Sequence, residues 1–265
     1  MKKFKLVLLI LISFILTTAV FTGCAKYQQK SLLDEVKKQE KIIVGVKFES
    51  KPFGFIDKDQ KLKGFDIDLS KEIAKRILGD ENAVEFKQVT SSTRILLLSS
   101  GAVNMIAATM TITPKRQEII DFSVPYYVAG QAIMVPTNSN IKSVKDLNNK
   151  KVIVILGSTS EQNIRTLAPQ AQLKGFRSYT EAFSALKAHR GDCLTTDDTI
   201  IYGFLLDNPD FKMLEGRYSK EPYGLGFKKS KETTTFQDAV NSAIEQMRED
   251  GTLKKIAKKW TGNVS

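Results

Sequence analysis

The feature that most restricts this chain is an alternation of short apolar strands with amphipathic helices, run through twice. Ile42-Ile43-Val44-Gly45-Val46 reads as a first strand. Gly64-Phe65-Asp66-Ile67-Asp68-Leu69 opens a helix in which Leu69, Ile73 and Ile77 lie four apart on one stripe, and Gly79 ends it. Residues 84–89 alternate like a strand, residues 94–100 make a short helix closed by Gly101, and Met105-Ile106-Ala107-Ala108 is a short buried strand. The pattern restarts near Gly130. Strands are expected at residues 130–135, 151–156 and 193–196, and helices after Ser143, from about Glu161 and from Thr180 to Arg190. Two terminal helices carry Phe236, Val240, Ile244 and Met247 on one face and Leu253, Ile256 and Trp260 on the next. Such alternation calls for mostly parallel sheets with helices on their faces, so the chain reads as two successive α/β units of similar size.

The first residues stand outside that pattern. Lys2, Lys3 and Lys5 make a basic start, residues 6–21 are an uncharged apolar run, and Thr22-Gly23-Cys24 follows. A run of 16 residues falls short of the roughly 20 that a membrane-spanning helix needs. It reads as a secretory signal over residues 1–23. The cysteine after small residues resembles the lipobox of bacterial lipoproteins, which would make Cys24 a lipid-bearing (palmitate-type) N-terminus on the outer face of the cell membrane. Residues 24–40 read as a polar tether followed by a short solvated helix. The whole chain has 40 Lys and Arg against 29 Asp and Glu; three lysines leave with the signal, so the mature charge is +8. For an exported protein this favours anionic ligands or an anionic envelope over nucleic acid. His189 is the only histidine, which excludes most His-dependent catalytic triads and zinc motifs. There is no glycine-rich phosphate loop, and neither metal nor cofactor is expected. Cys193 reads as a packing thiol in an apolar strand.

Chemistry concentrates at Thr109-Met110-Thr111-Ile112-Thr113-Pro114-Lys115-Arg116. Thr113-Pro114 looks like an N-cap with proline at the first helical position. Arg116 then sits in the first helical turn, where free N–H groups and the dipole favour an anion. A carboxylate suits the guanidinium fork. From these residues alone, a capped surface helix with a solvated arginine is the competing reading. Gly157-Ser158-Thr159-Ser160 feeds a second helix N-terminus. Lys47 and the pair Asp197-Asp198 stand at the C-terminal ends of strands, where open α/β sheets hold their ligand crevice.

These segments, with Asp121-Phe122-Ser123-Val124-Pro125-Tyr126-Tyr127, Arg190-Gly191-Asp192 and Pro222-Tyr223-Gly224, resemble the polar amino-acid-binding proteins of ABC importers, the extracellular solute-binding proteins of family 3, over residues 40–262. The resemblance is strongest to the glutamate/aspartate branch, some members of which also take glutamine. It implies a two-lobed type II periplasmic-binding-protein fold, with residues 41–127 and 222–265 in lobe 1 and residues 128–221 in lobe 2. A two-segment hinge would join the lobes. It also implies a monomeric, non-enzymatic binding subunit whose partners are an amino acid and a membrane permease. By this resemblance Arg116 holds the α-carboxylate with the backbone N–H groups of Thr111 and Thr159. Asp197 takes the α-ammonium with the Thr109 hydroxyl. Lys47, Arg94 and Tyr179 line the side-chain pocket. Asp197 alone also reads as a helix cap, a role that its neighbour Asp198 suits better. Lys47, Arg94 and Arg116 against Asp197 make a site of +2, so an acidic ligand is expected, with glutamine intermediate. A ligand-sensing receptor subunit and a dehydratase on the same fold are the alternatives.

Overall fold

The structure, a computed structural model, describes residues 31–262. Residues 1–30, and with them the apolar run and Cys24, lie outside the described part. Two five-stranded sheets organise the remainder. Strand order in the first is Val84–Gln88, Ile42–Val46, Met105–Ala107, Gly226–Lys228, Ile120–Phe122. In the second it is Gln172–Phe176, Lys151–Ile155, Cys193–Asp197, Gln131–Pro136, Phe211–Met213.

Both sheets are mixed in the same way. The first three strands of each run parallel. The fourth, Gly226–Lys228 or Gln131–Pro136, is antiparallel to both neighbours. The cause is topological. Each reversed strand is the first that its lobe receives after the chain crosses over, so it starts at the crossing and runs away from it. The other strands end facing the crossing, which gathers their C-terminal ends into one cleft.

The chain crosses twice, through Tyr127–Ala129 and Glu221–Tyr223. These two segments pair antiparallel, with Glu221 opposite Ala129 and Tyr223 opposite Tyr127. Aromatic rings pack against the pair. Phe53 lies 5.3 Å from Tyr127 and 5.4 Å from Tyr223, edge-on in both cases. Such contacts add about 0.5–1.5 kcal/mol each beyond area burial.

Helices form where periodicity and caps agree. Phe65–Leu78 buries Phe65, Ile67, Leu69, Ile73 and Ala74 and stops at Gly79, whose φ of 83° returns its N–H to the Lys75 carbonyl. Thr234–Glu249 buries Phe236, Val240, Ile244 and Met247, and Thr252–Thr261 follows it. Two helices start earlier than the apolar pattern indicates. Ser158 and Ser178 accept from the N–H groups of Glu161 and Glu181, which makes Thr159 and Tyr179 first helical residues. Leu32–Gln39 also departs from expectation. It is not a solvated helix: Val36 is 1% exposed and belongs to the same core as the first sheet. Cys193 is a free, fully buried thiol whose pKa burial pushes up to about 12. Among the described residues no helix is long and apolar enough to cross a membrane.

Candidate ligand-binding site

Seven of the eight ligand-binding candidates are buried where the two lobes meet, and Thr159 is half-buried there. Arg116 comes first because it touches both lobes. Thr113 caps its helix by accepting from the Arg116 N–H, and Pro114 occupies the first helical position. The guanidinium then donates to the Thr111 carbonyl at 2.8 Å and, across the cleft, to the Gly157 carbonyl at 3.2 Å. The exposed, solvated arginine of the competing reading is therefore not what the chain builds. The Thr111 and Thr159 hydroxyls face each other at 3.4 Å. Gly157, with φ of 79°, lies directly against Ser91 and Ser92 of the other lobe. The lobes are closed upon each other.

Lys47 directly follows strand Ile42–Val46. Its ammonium donates to the Thr109 hydroxyl at 2.6 Å and, across the cleft, to the Tyr179 hydroxyl at 3.3 Å. Thr109 holds a left-handed φ of 45°, an unfavourable conformation for a β-branched residue. Asp66 supports it by accepting the Thr109 N–H at 3.2 Å. Arg94, the first residue of helix Arg94–Ser99, donates to the Ala108 carbonyl at 2.6 Å, and its Nε has no partner. Arg94 therefore braces the loop that carries Thr109.

Asp197 ends strand Cys193–Asp197 and precedes helix Asp198–Leu205, but makes no side-chain cap bond. It accepts instead from the Tyr223 hydroxyl. Asp198 takes the structural duty: it accepts the Thr199 N–H at 2.7 Å and pairs with Arg217 at 2.7 Å.

The expected charge of +2 does not hold. Two further carboxylates are buried beside these groups. Asp66 is fully buried and accepts from the Tyr126 hydroxyl at 2.7 Å. Glu221 is 3% exposed and accepts from the Thr159 hydroxyl at 2.8 Å, while Gln131 donates to that same hydroxyl at 2.8 Å. Lys47, Arg94 and Arg116 thus stand against Asp66, Asp197 and Glu221, so the formal charge is zero. Asp66 lies in the Gly64–Leu69 motif and Glu221 beside Pro222, so the sequence shows both residues; what it hides is that tertiary folding turns them inward.

Burial dominates every resolved titration here. It lowers Lys47 to about 7, with Arg94 adding to the fall and Asp197 and Asp66 opposing it. It lowers Arg94 to about 9, with Arg116 adding. Arg116 falls too, with Glu221 opposing. Burial raises Asp197 to about 7 against the Tyr223 hydroxyl, and Asp66 to about 6 against Tyr126 and the Thr109 N–H. Burial thus disfavours the charged form of every one of these groups.

The model of the bacterial extracellular solute-binding proteins, family 3, matches residues 42–263. The chain belongs to that family, and its two-lobed α/β fold is that of amino-acid-binding proteins of known structure. It is 42% identical over 268 residues to the ABC transporter glutamine-binding protein GlnH of Bacillus subtilis (strain 168), covering 98% of this chain and 97% of that one. It is 47% identical over 206 residues to the glutamine-binding protein of Geobacillus stearothermophilus, covering 77% and 78%. Among solved structures, an ancestral arginine-binding protein bound to glutamine superposes with a TM-score of 0.80 at 42% identity, covering 84% of this chain and 99% of that one.

Proposed function

We propose that this protein is the amino-acid-binding subunit of an ABC importer and that its ligand is glutamine. The observation that carries the reading is the opposition of Arg116, set beside two helix starts, to Asp197, set at a strand end in the other lobe. An amino acid's α-carboxylate suits the guanidinium with the Thr111 and Thr159 N–H groups, and its α-ammonium suits Asp197. The Thr109 hydroxyl already accepts from Lys47, so it has one lone pair left for the ammonium.

Glutamine is favoured over glutamate or aspartate by two supports. The relatives with that name are 42% and 47% identical. A balanced set of three cations and three carboxylates also accommodates a net-neutral zwitterion without leaving a buried charge unpaired. The amide oxygen of glutamine can accept from Lys47 or from Arg94 Nε, and Tyr179 closes the pocket from the second lobe. Ligand capture is then a shift of population toward the closed arrangement, with the paired strands Tyr127–Ala129 and Glu221–Tyr223 as the hinge. The protein acts as a monomeric receptor that delivers its ligand to a permease and performs no reaction.

Isothermal calorimetry on the chain lacking residues 1–24 tests this. Binding heat is expected with glutamine, weaker heat with glutamate and aspartate; no heat with glutamine refutes the assignment. Anchoring to the outer membrane face through Cys24 is part of the same proposal. It rests on the basic start, the apolar run and the small residues before the cysteine. Fatty-acid label should enter the full chain in cells and be absent from Cys24→Ser; equal labelling of both would contradict it.

A further inference from the structure

Two of the three lobe-1 cations at the cleft, Lys47 and Arg116, have a buried acid behind them, one residue removed from Lys47 and two from Arg116. Behind Lys47 the path runs from its Nζ to the Thr109 hydroxyl at 2.6 Å, then from the Thr109 N–H to Asp66 at 3.2 Å. Behind Arg116 it runs to the Thr111 carbonyl at 2.8 Å, across the Thr111–Thr159 hydroxyl pair at 3.4 Å, and from Thr159 to Glu221 at 2.8 Å. Both carboxylates also have local partners that hold them in place: the Tyr126 hydroxyl on Asp66 at 2.7 Å and the Ser219 hydroxyl on Glu221. Neither needs to touch a ligand to act on it, because a unit charge in a dry cleft is felt beyond contact distance.

We infer that Asp66 and Glu221 are the specificity-determining residues of this cleft: positioned behind the ligand-facing cations, they cancel two of the three positive charges and so exclude amino acids with acidic side chains. The inference rests on the glutamine reading and deepens it. Lys47 and Arg94, taken alone, would favour a distal carboxylate. With Asp66 and Glu221 behind them, an added negative charge meets a cleft that is already neutral. Asp66 has a second, geometric duty: its bond to the Thr109 N–H supports the left-handed backbone that points the Thr109 hydroxyl at Lys47.

The test is the ratio of glutamate to glutamine dissociation constants, measured by calorimetry on the folded chain. Asp66→Asn and Glu221→Gln each make the cleft more positive by one charge, so each should lower the ratio about tenfold at low salt. Glu221→Asp keeps the charge and should keep the ratio even if both affinities drop. A merely structural role would weaken both ligands together and leave the ratio in place. A ratio within about twofold of the parent in folded Glu221→Gln, the variant whose carboxylate has no part in the Thr109 geometry, overturns the inference. If the parent itself prefers glutamate, the glutamine assignment fails instead, and the two failures are distinct.

Discussion

Gly157 offers a substitution whose effects on folding and on closure separate cleanly. A Cβ at this position would lie 2.8 Å from the Ser91 carbonyl oxygen, 2.9 Å from Ser92 Cα and 3.0 Å from the Ser91 carbonyl carbon. All three are backbone atoms of the opposite lobe, so no side-chain rotamer relieves them. Overpacking of this kind costs about 1–3 kcal/mol, and here it falls only on the closed arrangement. Gly157→Ala should therefore raise the glutamine dissociation constant roughly tenfold, within a range of about 5- to 150-fold. Independently, φ at Gly157 is 79°, a left-handed conformation that costs alanine about 1–2 kcal/mol in either arrangement. That cost should lower the ligand-free melting temperature by a few degrees. Calorimetry reads the first effect and differential scanning fluorimetry the second. A melting temperature that falls while affinity stays within twofold would refute the closure argument. It would mean that Gly157 does not approach Ser91–Ser92 when ligand is held.

Two other perturbations address the same cleft. Arg116→Lys removes a fork that reaches carbonyls of both lobes and replaces it with a single ammonium, so glutamine affinity should fall about a hundredfold or more with little change in fold; calorimetric affinity near the parent's would count against Arg116 as the carboxylate anchor. Asp197 is raised from 3.8 to about 7 in the folded protein, so the folded form keeps a proton that the unfolded chain has lost over that window. Its contribution to ligand-free stability is present at low pH and lost as pH rises through about 7. Asp197→Asn lacks that loss, so its melting temperature relative to the parent should become more favourable by a few degrees between about pH 5 and pH 8. A pH-independent difference would contradict the raised pKa.

Local chemistry accounts for what is legible in the sequence. Gly79 after the Leu69–Ile73–Ile77 stripe marked a helix end because only a left-handed residue completes that cap. Thr113-Pro114 marked a helix start because proline lacks the N–H that the first position would leave idle. The strands Ile42–Val46 and Lys151–Ile155 are buried on both faces and so appear as plain apolar runs. By contrast Gln172–Phe176 is an edge strand, exposed along most of its length, and its QLKGF sequence carries no apolar run to announce it. Phe211–Met213 and Gly226–Lys228 are only three residues each and exist because a neighbouring strand pairs with them.

The sequence by itself determined the fold class, the family and the positions where polar groups interrupt apolar strands, since all of these depend on neighbours along the chain. It also named Lys47, Arg94, Thr109, Thr111, Arg116, Thr159, Tyr179 and Asp197, which come from strand ends and helix starts that folding brings to one cleft. Tertiary structure alone decided the electrostatic character of that cleft. Asp66 sits 43 residues from Thr109, and Glu221 sits 62 from Thr159. Nothing in the intervening sequence says that either carboxylate turns inward. Charge in a desolvated site is a sum over everything packed nearby, whatever its distance along the chain, so the count of +2 became zero only once the two lobes and their crossing strands were in place.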